Sequence, residues 1–316
     1  MLAYLIDAET PGRLVRRDAP EPSPLPSETV VRVRATSLNR GEVRMAIESH
    51  AYAHAYNPGW DAAGVVERAS ADGKGPVAGT RVVGFVRRGA WAELAAVPNE
   101  YLAPIPDDVS FAQASTLPVA GLTTLHVLYK GGSLLGKKVL VTGATGGVGD
   151  FAIQLARHSG AIVTAHVRRE SQREFVVSTG AHHAAVGEKL APAAHSFGPF
   201  DLIVESVGGE VLGDALGLLA ERGVCVLFGT SGGKDVTFDA QKFYAIGGAS
   251  LYGLIMGDEL KWIETGTLGL TKLGHLVSRG SLKPQIGVED DWANLPQVAA
   301  DLLNRKFLGK GVLHIG

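Results

Sequence analysis

The chain has 316 residues, 46% hydrophobic and 20% charged, with a formal net charge of -2. That length suits two cores better than one, and the near-neutral balance excludes the basic surface that nucleic acid or an anionic membrane would require. A single cysteine, Cys225, excludes an internal disulfide, and no apolar run reaches the ~20 residues needed to span a bilayer.

At the start of the chain, Asp7, Glu9 and Pro11 interrupt the apolar stretch that a secretory signal would need, so the expected compartment is the cytoplasm and the expected partners are small molecules. Residues 30–35, VVRVRA, alternate with the period of a half-buried strand. Further short strands are predicted over 64–67, 81–86 and 91–97, and together they suggest a barrel-like β domain. From Phe111 the pattern turns helical, in pieces that Pro118 and Gly121 are expected to break.

Residues 138–142 read as a buried strand that enters the turn Gly143, Ala144, Thr145, Gly146, Gly147, and a helix is expected from about Val148. Glycines there permit a tight turn, and Gly149 permits close helix–strand contact. The turn's N–H groups and the positive end of the helix dipole would face a pyrophosphate. A second strand, 162–167, follows at βαβ distance, and further strands are predicted over 183–186, 202–206, 224–228 and 250–254. With helices between them, these make a doubly wound parallel Rossmann sheet. Cys225 falls in the fifth of these strands and reads as a small buried hydrophobe.

The second strand ends without the acid that usually holds the ribose hydroxyls. Arg168 and Arg169 stand there instead, with Ser171 close by. Arginines grip a 2′-phosphate by charge-assisted hydrogen bonds, which points to NADPH over NADH. The alternative is a solvated helix start in which Glu170 pairs with either arginine. Gly208 follows the fourth strand, and Phe228, Gly229, Thr230 and Ser231 follow the fifth. Their backbones are expected along the crevice at the strands' carboxyl ends, holding the nicotinamide half.

The segments TSLNRGEVR, PGWDAAGVV, GTRVVGF, LPVAGLTTL, GATGGVG, ESVGG, FGTSGG and LGKGVLHIG occur in that order along the chain. On these segments it resembles the medium-chain dehydrogenase/reductase superfamily, in its zinc-independent quinone oxidoreductase-like branch. The resemblance implies a GroES-like, mainly-β catalytic domain over 1–112, a Rossmann NADPH-binding domain over 113–255, and a return to the catalytic domain over 256–316. Zinc-dependent relatives carry Gly-His-Glu where this chain has Gly59-Trp60-Asp61, and one cysteine cannot supply their thiolates. The ten histidines are scattered, so no metal is expected. The glycine turn also fits a short-chain reductase pattern, but it begins after a whole domain and no tyrosine is followed by lysine four residues on.

The implied reaction is hydride transfer from NADPH to a quinone or an α,β-unsaturated carbonyl, whose distant oxygen takes up the charge. By the same resemblance Asn39 is a hydrogen-bond donor or positioner near the nicotinamide, the alternative being a turn residue that caps local backbone. Thr123 is placed beside the nicotinamide ribose, or else serves as a helix N-cap or in ordinary packing. Many relatives have a tyrosine eleven residues after the asparagine. This chain has His50 there, and Tyr52 becomes the candidate proton donor, the alternatives being an aromatic lid contact for Tyr52 and a proton taken from water. Residues 46–57 are expected to line the mouth of an apolar or aromatic substrate pocket. Competing readings are an NADPH-binding protein without turnover and a carbonyl reductase using Tyr52 or His50. Enoyl thioesters on a carrier would need a basic landing patch, for which Arg40, Arg44, Arg87 and Arg88 are the available members. The family's frequent dimerisation through the last Rossmann strand implies a homodimer built on 250–254.

Overall fold

The computed structural model describes residues 1–48 and 56–316. A hairpin of β1 (Leu2–Ile6) and β2 (Leu14–Asp18) opens the chain. Strand β3 (Glu28–Leu38) leads into helix α1 (Arg40–Ile47), followed by β4 (Asp61–Arg68), β5 (Arg81–Phe85), β6 (Leu94–Pro98) and β7 (Leu102–Pro104). Then come α2 (Phe111–Ser115), a π-helical turn (Leu117–Gly121) and α3 (Leu122–Lys130). Pro118 does not break this series as expected. It sits in the first turn of its element, where a missing N–H leaves no intrahelical bond unmade.

Strands and helices then alternate: β8 (Lys138–Val141), α4 (Gly147–His158), β9 (Ile162–Val167), α5 (Arg173–Thr179), β10 (His183–Val186) and α6 (Leu190–Ala194). They continue as β11 (Phe200–Glu205), α7 (Gly209–Leu216), β12 (Leu219–Leu227), α8 (Ala240–Ala245), β13 (Ser250–Gly253) and α9 (Met256–Trp262). The chain closes with α10 (Gly266–Ser278), β14 (Ile286–Asp291), α11 (Leu295–Leu303) and β15 (Lys310–His314).

Two compact units result, 1–122 with 264–316 and 123–263. The first crossing falls after the expected 112/113 because α2 packs on the β unit. Ala112 joins Ala35 and Val312 in a small core, and Ser115 gives its carbonyl to the Ser37 hydroxyl at 2.9 Å. The second falls after 255/256 because Glu259 of α9 pairs with Lys130 and accepts from Tyr252.

In the first unit a seven-stranded sheet runs β14-β15-β3-β4-β5-β7, with β6 paired to β3. β15, near the end of the chain, lies antiparallel to β3. The core of this unit is a cluster of aliphatic side chains around Trp91, with Trp292, Leu295 and Leu313 supplied by residues 264–316. The second unit is a six-stranded sheet of order β10-β9-β8-β11-β12-β13, with every neighbouring pair parallel. That order is the doubly wound arrangement of a Rossmann sheet, and it reverses direction of growth beside β8. Cys225 is wholly buried in β12, and burial pushes its thiol up, so it is inert as a nucleophile.

Candidate functional site

In the second unit, β8 feeds Thr142 into a turn where Gly143 has φ +56°. A Cβ at Gly143 would stand 2.4 Å from Ser206 Oγ, and one at Gly149 would stand 2.4 Å from Gly143 O. Only glycine lets the three segments approach so closely. The Gly146 amide donates to Gly143 O at 3.0 Å and closes the turn. Gly146 is then the N-cap of α4, which starts at Gly147 and places the amides of Gly147, Val148 and Gly149 at a helix start, where no intrahelical carbonyl is available to them. Ala144 and Thr145 complete the loop in front of this positive end. Thr124 Oγ1 donates to Val148 O at 3.3 Å, tying α3 to the same turn. Thr123 is 5% exposed and is the second residue of α3. It is no N-cap, because the π-helical turn runs into α3 without a break.

At the end of β9, Arg168, Arg169 and Ser171 are all exposed. Glu170 pairs with Arg173, and no ion pair to Arg168 or Arg169 occurs among the described residues. The neighbouring His166 is buried and shares a hydrogen bond with Gly187 O at 2.9 Å. Burial, with the Arg168 charge adding to it, holds the imidazole below its ordinary value.

The turns after β11 and β12 are sewn together. Gly232 N donates to Val207 O at 2.7 Å, Ser231 gives both its amide and its hydroxyl to Ser206 O at 3.2 and 3.1 Å, and Gly208 bridges to Gly233. Phe228 N is tied to Glu205 O at 3.0 Å, and Gly229 is packed against Ser206. Thr230 lies over Gly208, its Cα 3.2 Å from where a Gly208 Cβ would stand. The amide of Gly208 donates to Glu205 and its carbonyl accepts from Leu212, so its backbone offers shape to the crevice and no further strong hydrogen bond.

A second polar cluster lies in the first unit, where β3, β4, β15 and the π-helical turn meet. Asp61 is fully buried and accepts from Ser37 Oγ at 2.6 Å, Asn39 Nδ2 at 2.7 Å and Lys310 Nζ at 3.4 Å on one oxygen, and from Val119 N at 2.9 Å on the other. Lys310, 3% exposed, also donates to Leu38 O at 3.0 Å and Asn39 Oδ1 at 2.6 Å. Glu42, in the first turn of α1, takes the Asn39 amide at 2.7 Å and its Nδ2 at 3.0 Å on Oε1. Its Oε2 is buried with no hydrogen-bond partner among the described residues. Burial, and then the nearby Asp61 charge, push the Glu42 carboxyl up to about 8, so it is held mainly as the neutral acid at pH 7.

Asn39 is thus the N-cap residue of α1, and its side chain is occupied on both sides by carboxylates and the ammonium. Tyr52 and His50 lie outside the described residues. Sequence reasoning passed over Glu42, Lys310 and Glu205 as functional residues. The available signal was a charged residue at the end or the beginning of an otherwise apolar strand, as in FDLIVE and KGVLH.

Comparison with known proteins agrees with this geometry. The family model described as an alcohol dehydrogenase GroES-like domain matches residues 25–107, and the one described as zinc-binding dehydrogenase matches residues 147–268. The spectinabilin polyketide synthase system protein NorB of Streptomyces orinoci is 38% identical over 216 residues, which are 66% of this chain and 10% of that protein. The human synaptic vesicle membrane protein VAT-1 homolog-like is 30% identical over 241 residues, 74% of this chain and 56% of that protein. The chain therefore spans a tenth of one of these relatives and little over half of the other. The quinone oxidoreductase of Thermus thermophilus, solved with and without NADPH, superposes with a TM-score of 0.82, 30% identity and 100% of both chains covered. This chain belongs to the medium-chain dehydrogenase/reductase superfamily, in its quinone oxidoreductase-like branch.

Proposed function

We propose that this chain is an NADPH-dependent oxidoreductase that delivers hydride to a quinone or an α,β-unsaturated carbonyl without a metal. The observation that carries the reading is the end of β9, where two exposed guanidinium groups without ion-pair partners among the described residues stand beside Ser171, in place of a ribose-binding acid. The Thermus relative's NADPH complex supports the same cofactor. In this reading Gly143 to Val148 hold the pyrophosphate, Arg168, Arg169 and Ser171 the 2′-phosphate, and Thr123, Gly208 and 228–231 the nicotinamide half.

Metal independence is supported by the donor set at Gly59-Trp60-Asp61. The carboxylate of Asp61 is consumed by Ser37, Asn39 and Val119, and an ammonium already stands 3.4 Å from it. No group of three or more His, Cys, Asp or Glu that could hold a metal occurs among the described residues. These residues do not fit a catalytic zinc, which needs three suitable protein ligands. NADPH supplies the hydride when bound, and a conjugated acceptor carries the resulting negative charge on its own oxygen, so the protein's work is orientation and charge stabilisation. In this reading Asn39 stands as a hydrogen-bond donor or positioner near the nicotinamide, its place fixed by Asp61, Glu42 and Lys310, and Tyr52 is the candidate proton donor.

A carrier-bound thioester is the less favoured acceptor. Arg40 is committed to the carbonyls of Leu302 and Leu303 and Arg44 to Glu48, which leaves Arg87 and Arg88 of the four candidate patch members and favours ordinary surface charge as their account. We also assign the edge strand β13 as a homodimer contact in a cytoplasmic protein. All its residues are exposed, Leu251 and Tyr252 at 44 and 37% among them, and its outer side has no paired strand among the described residues. No helix among the described residues is long and apolar enough to cross a membrane.

The test follows the loss of NADPH absorbance with quinones, enones, enoyl thioesters and simple ketones, each with a chelator present and repeated with NADH. Turnover of a conjugated acceptor with NADPH preferred is the expected result. Turnover that the chelator abolishes, or that occurs only with simple ketones, would overturn the reading.

A further inference from the structure

Glu205 ends β11 with its side chain wholly buried and no ion-pair partner among the described residues. A buried carboxylate is costly unless hydrogen bonds replace its water. Here Oε1 accepts from Val207 N at 2.8 Å and Thr142 Oγ1 at 3.1 Å, and Oε2 accepts from Gly208 N at 3.0 Å. Thr142 is the residue immediately before the glycine turn, and its hydroxyl oxygen accepts from Ser206 N at 3.2 Å. One carboxylate therefore joins the turn after β8 to the turn after β11. It also holds Gly208 at φ +71°, ψ −161°, where a Cβ would come within 2.3 Å of Gly233 O on the turn after β12.

These three turns lie at the carboxyl ends of β8, β11 and β12, where an open parallel sheet of this order binds its dinucleotide. A negative charge is an unfavourable neighbour for an anionic pyrophosphate, so attraction to the cofactor does not account for the residue. Its hydrogen bonds do account for it, because they turn the amides of Val207 and Gly208 inward and leave the outer surface of the turn to packing. We propose that Glu205 is a positioning residue that clamps the turn after β11 in register with the glycine turn, shaping the nicotinamide half of the crevice before NADPH arrives. The inference rests on the NADPH reading and adds a residue whose action passes through backbone it never leaves.

The test is Glu205→Gln, in which an amide donor must face the amide of Gly208, with binding of NADPH and of 2′,5′-ADP measured by calorimetry on the full chain. The fragment uses only the adenosine half, which sits on the β8–β10 side of the sheet. The expected result is NADPH binding weakened by about tenfold or more while 2′,5′-ADP stays within about twofold, with faster hydrogen exchange at Val207 and Gly208. Equal loss for both ligands, or no loss for either, overturns the proposal. If the glutamine variant does not fold, Thr142→Val removes one link of the clamp and is expected to show the same split at smaller size, with equal effects again counting against it. Failure of the unmodified protein to bind NADPH would instead remove the cofactor reading itself, so the two failures are separable.

Discussion

Glu205 in the second unit and Asp61 in the first are both fully buried acids, and they are satisfied in opposite ways. Glu205 in the second unit has backbone amides and one hydroxyl around it and no cation among the described residues, whereas Asp61 in the first unit accepts from two side chains and the Val119 amide and has the Lys310 ammonium at 3.4 Å. A carboxylate held by amides fixes the course of the chain that carries those amides. A carboxylate held by an ammonium cancels charge and joins segments that are remote in sequence, while the charge of the remaining acid, Glu42, is suppressed by protonation. The first arrangement makes a shaped loop, and the second makes a rigid polar corner.

The largest expected effect comes from breaking the second arrangement. Lys310→Met leaves Asp61 buried without its cation, and unfolding titrations should report a loss of about 3–5 kcal/mol. Adding Asp61→Asn to that variant removes the stranded charge and should recover part of the loss. A Lys310→Met protein as stable as the parent would mean that the ammonium contributes nothing to the corner.

A smaller effect belongs to the exposed cations of the second unit. Replacing Arg168 and Arg169 together by alanine should weaken NADPH binding by about 10–100-fold, the scale of losing charge-assisted hydrogen bonds, and leave NADH nearly unchanged. Equal loss for both cofactors would show that these arginines act on something other than the 2′-phosphate.

The Glu42 carboxyl sharpens the contrast through pH. Its folded value of about 8 lies above its ordinary value of 4.5, so the folded state binds the extra proton. The stabilisation is complete below about 4.5 and is lost as pH rises through about 8. Thermal melts of the parent should therefore fall from about pH 5 to about pH 8 and level off above it, and Glu42→Gln should flatten that decline. A decline of the same slope in the variant would place the proton elsewhere. Smallest of all, removing the exposed Arg32–Glu67 pair by Arg32→Ala should leave the unfolding midpoint almost unchanged, because water and salt screen it.

The second unit was largely legible in the sequence. β9 and β10 occupy the predicted 162–167 and 183–186, and α4 starts one residue before its predicted Val148. Buried parallel strands are continuous apolar runs, and glycines mark the turns between them, so the signal is local. In the first unit the hairpin β1–β2 and the strand β14 went unread. β2 carries Val15, Arg16, Arg17 and Asp18 facing outward or half outward, and β14 alternates between half-buried and exposed positions without a strong apolar face. The polar corner was harder still, because its partners are set by tertiary pairing. Lys310 is 249 residues from Asp61, and no spacing rule connects them. Pro118 was read by its general habit, yet the turn it opens presents the Val119 amide to Asp61.

The pairing of β15 with β3 also orders events during synthesis. Residues 123–263 form a contiguous unit that can close as soon as it leaves the ribosome. The first unit cannot, because the ammonium that Leu38 O accepts from belongs to a residue made 272 positions later. Until then the nascent chain exposes an unpaired flank of β3 beside two uncompensated acids, a hydrated and open seam where the finished protein has a sheet interior. Translation speed across the intervening residues therefore sets how long that seam stays available to chaperones or to other nascent chains.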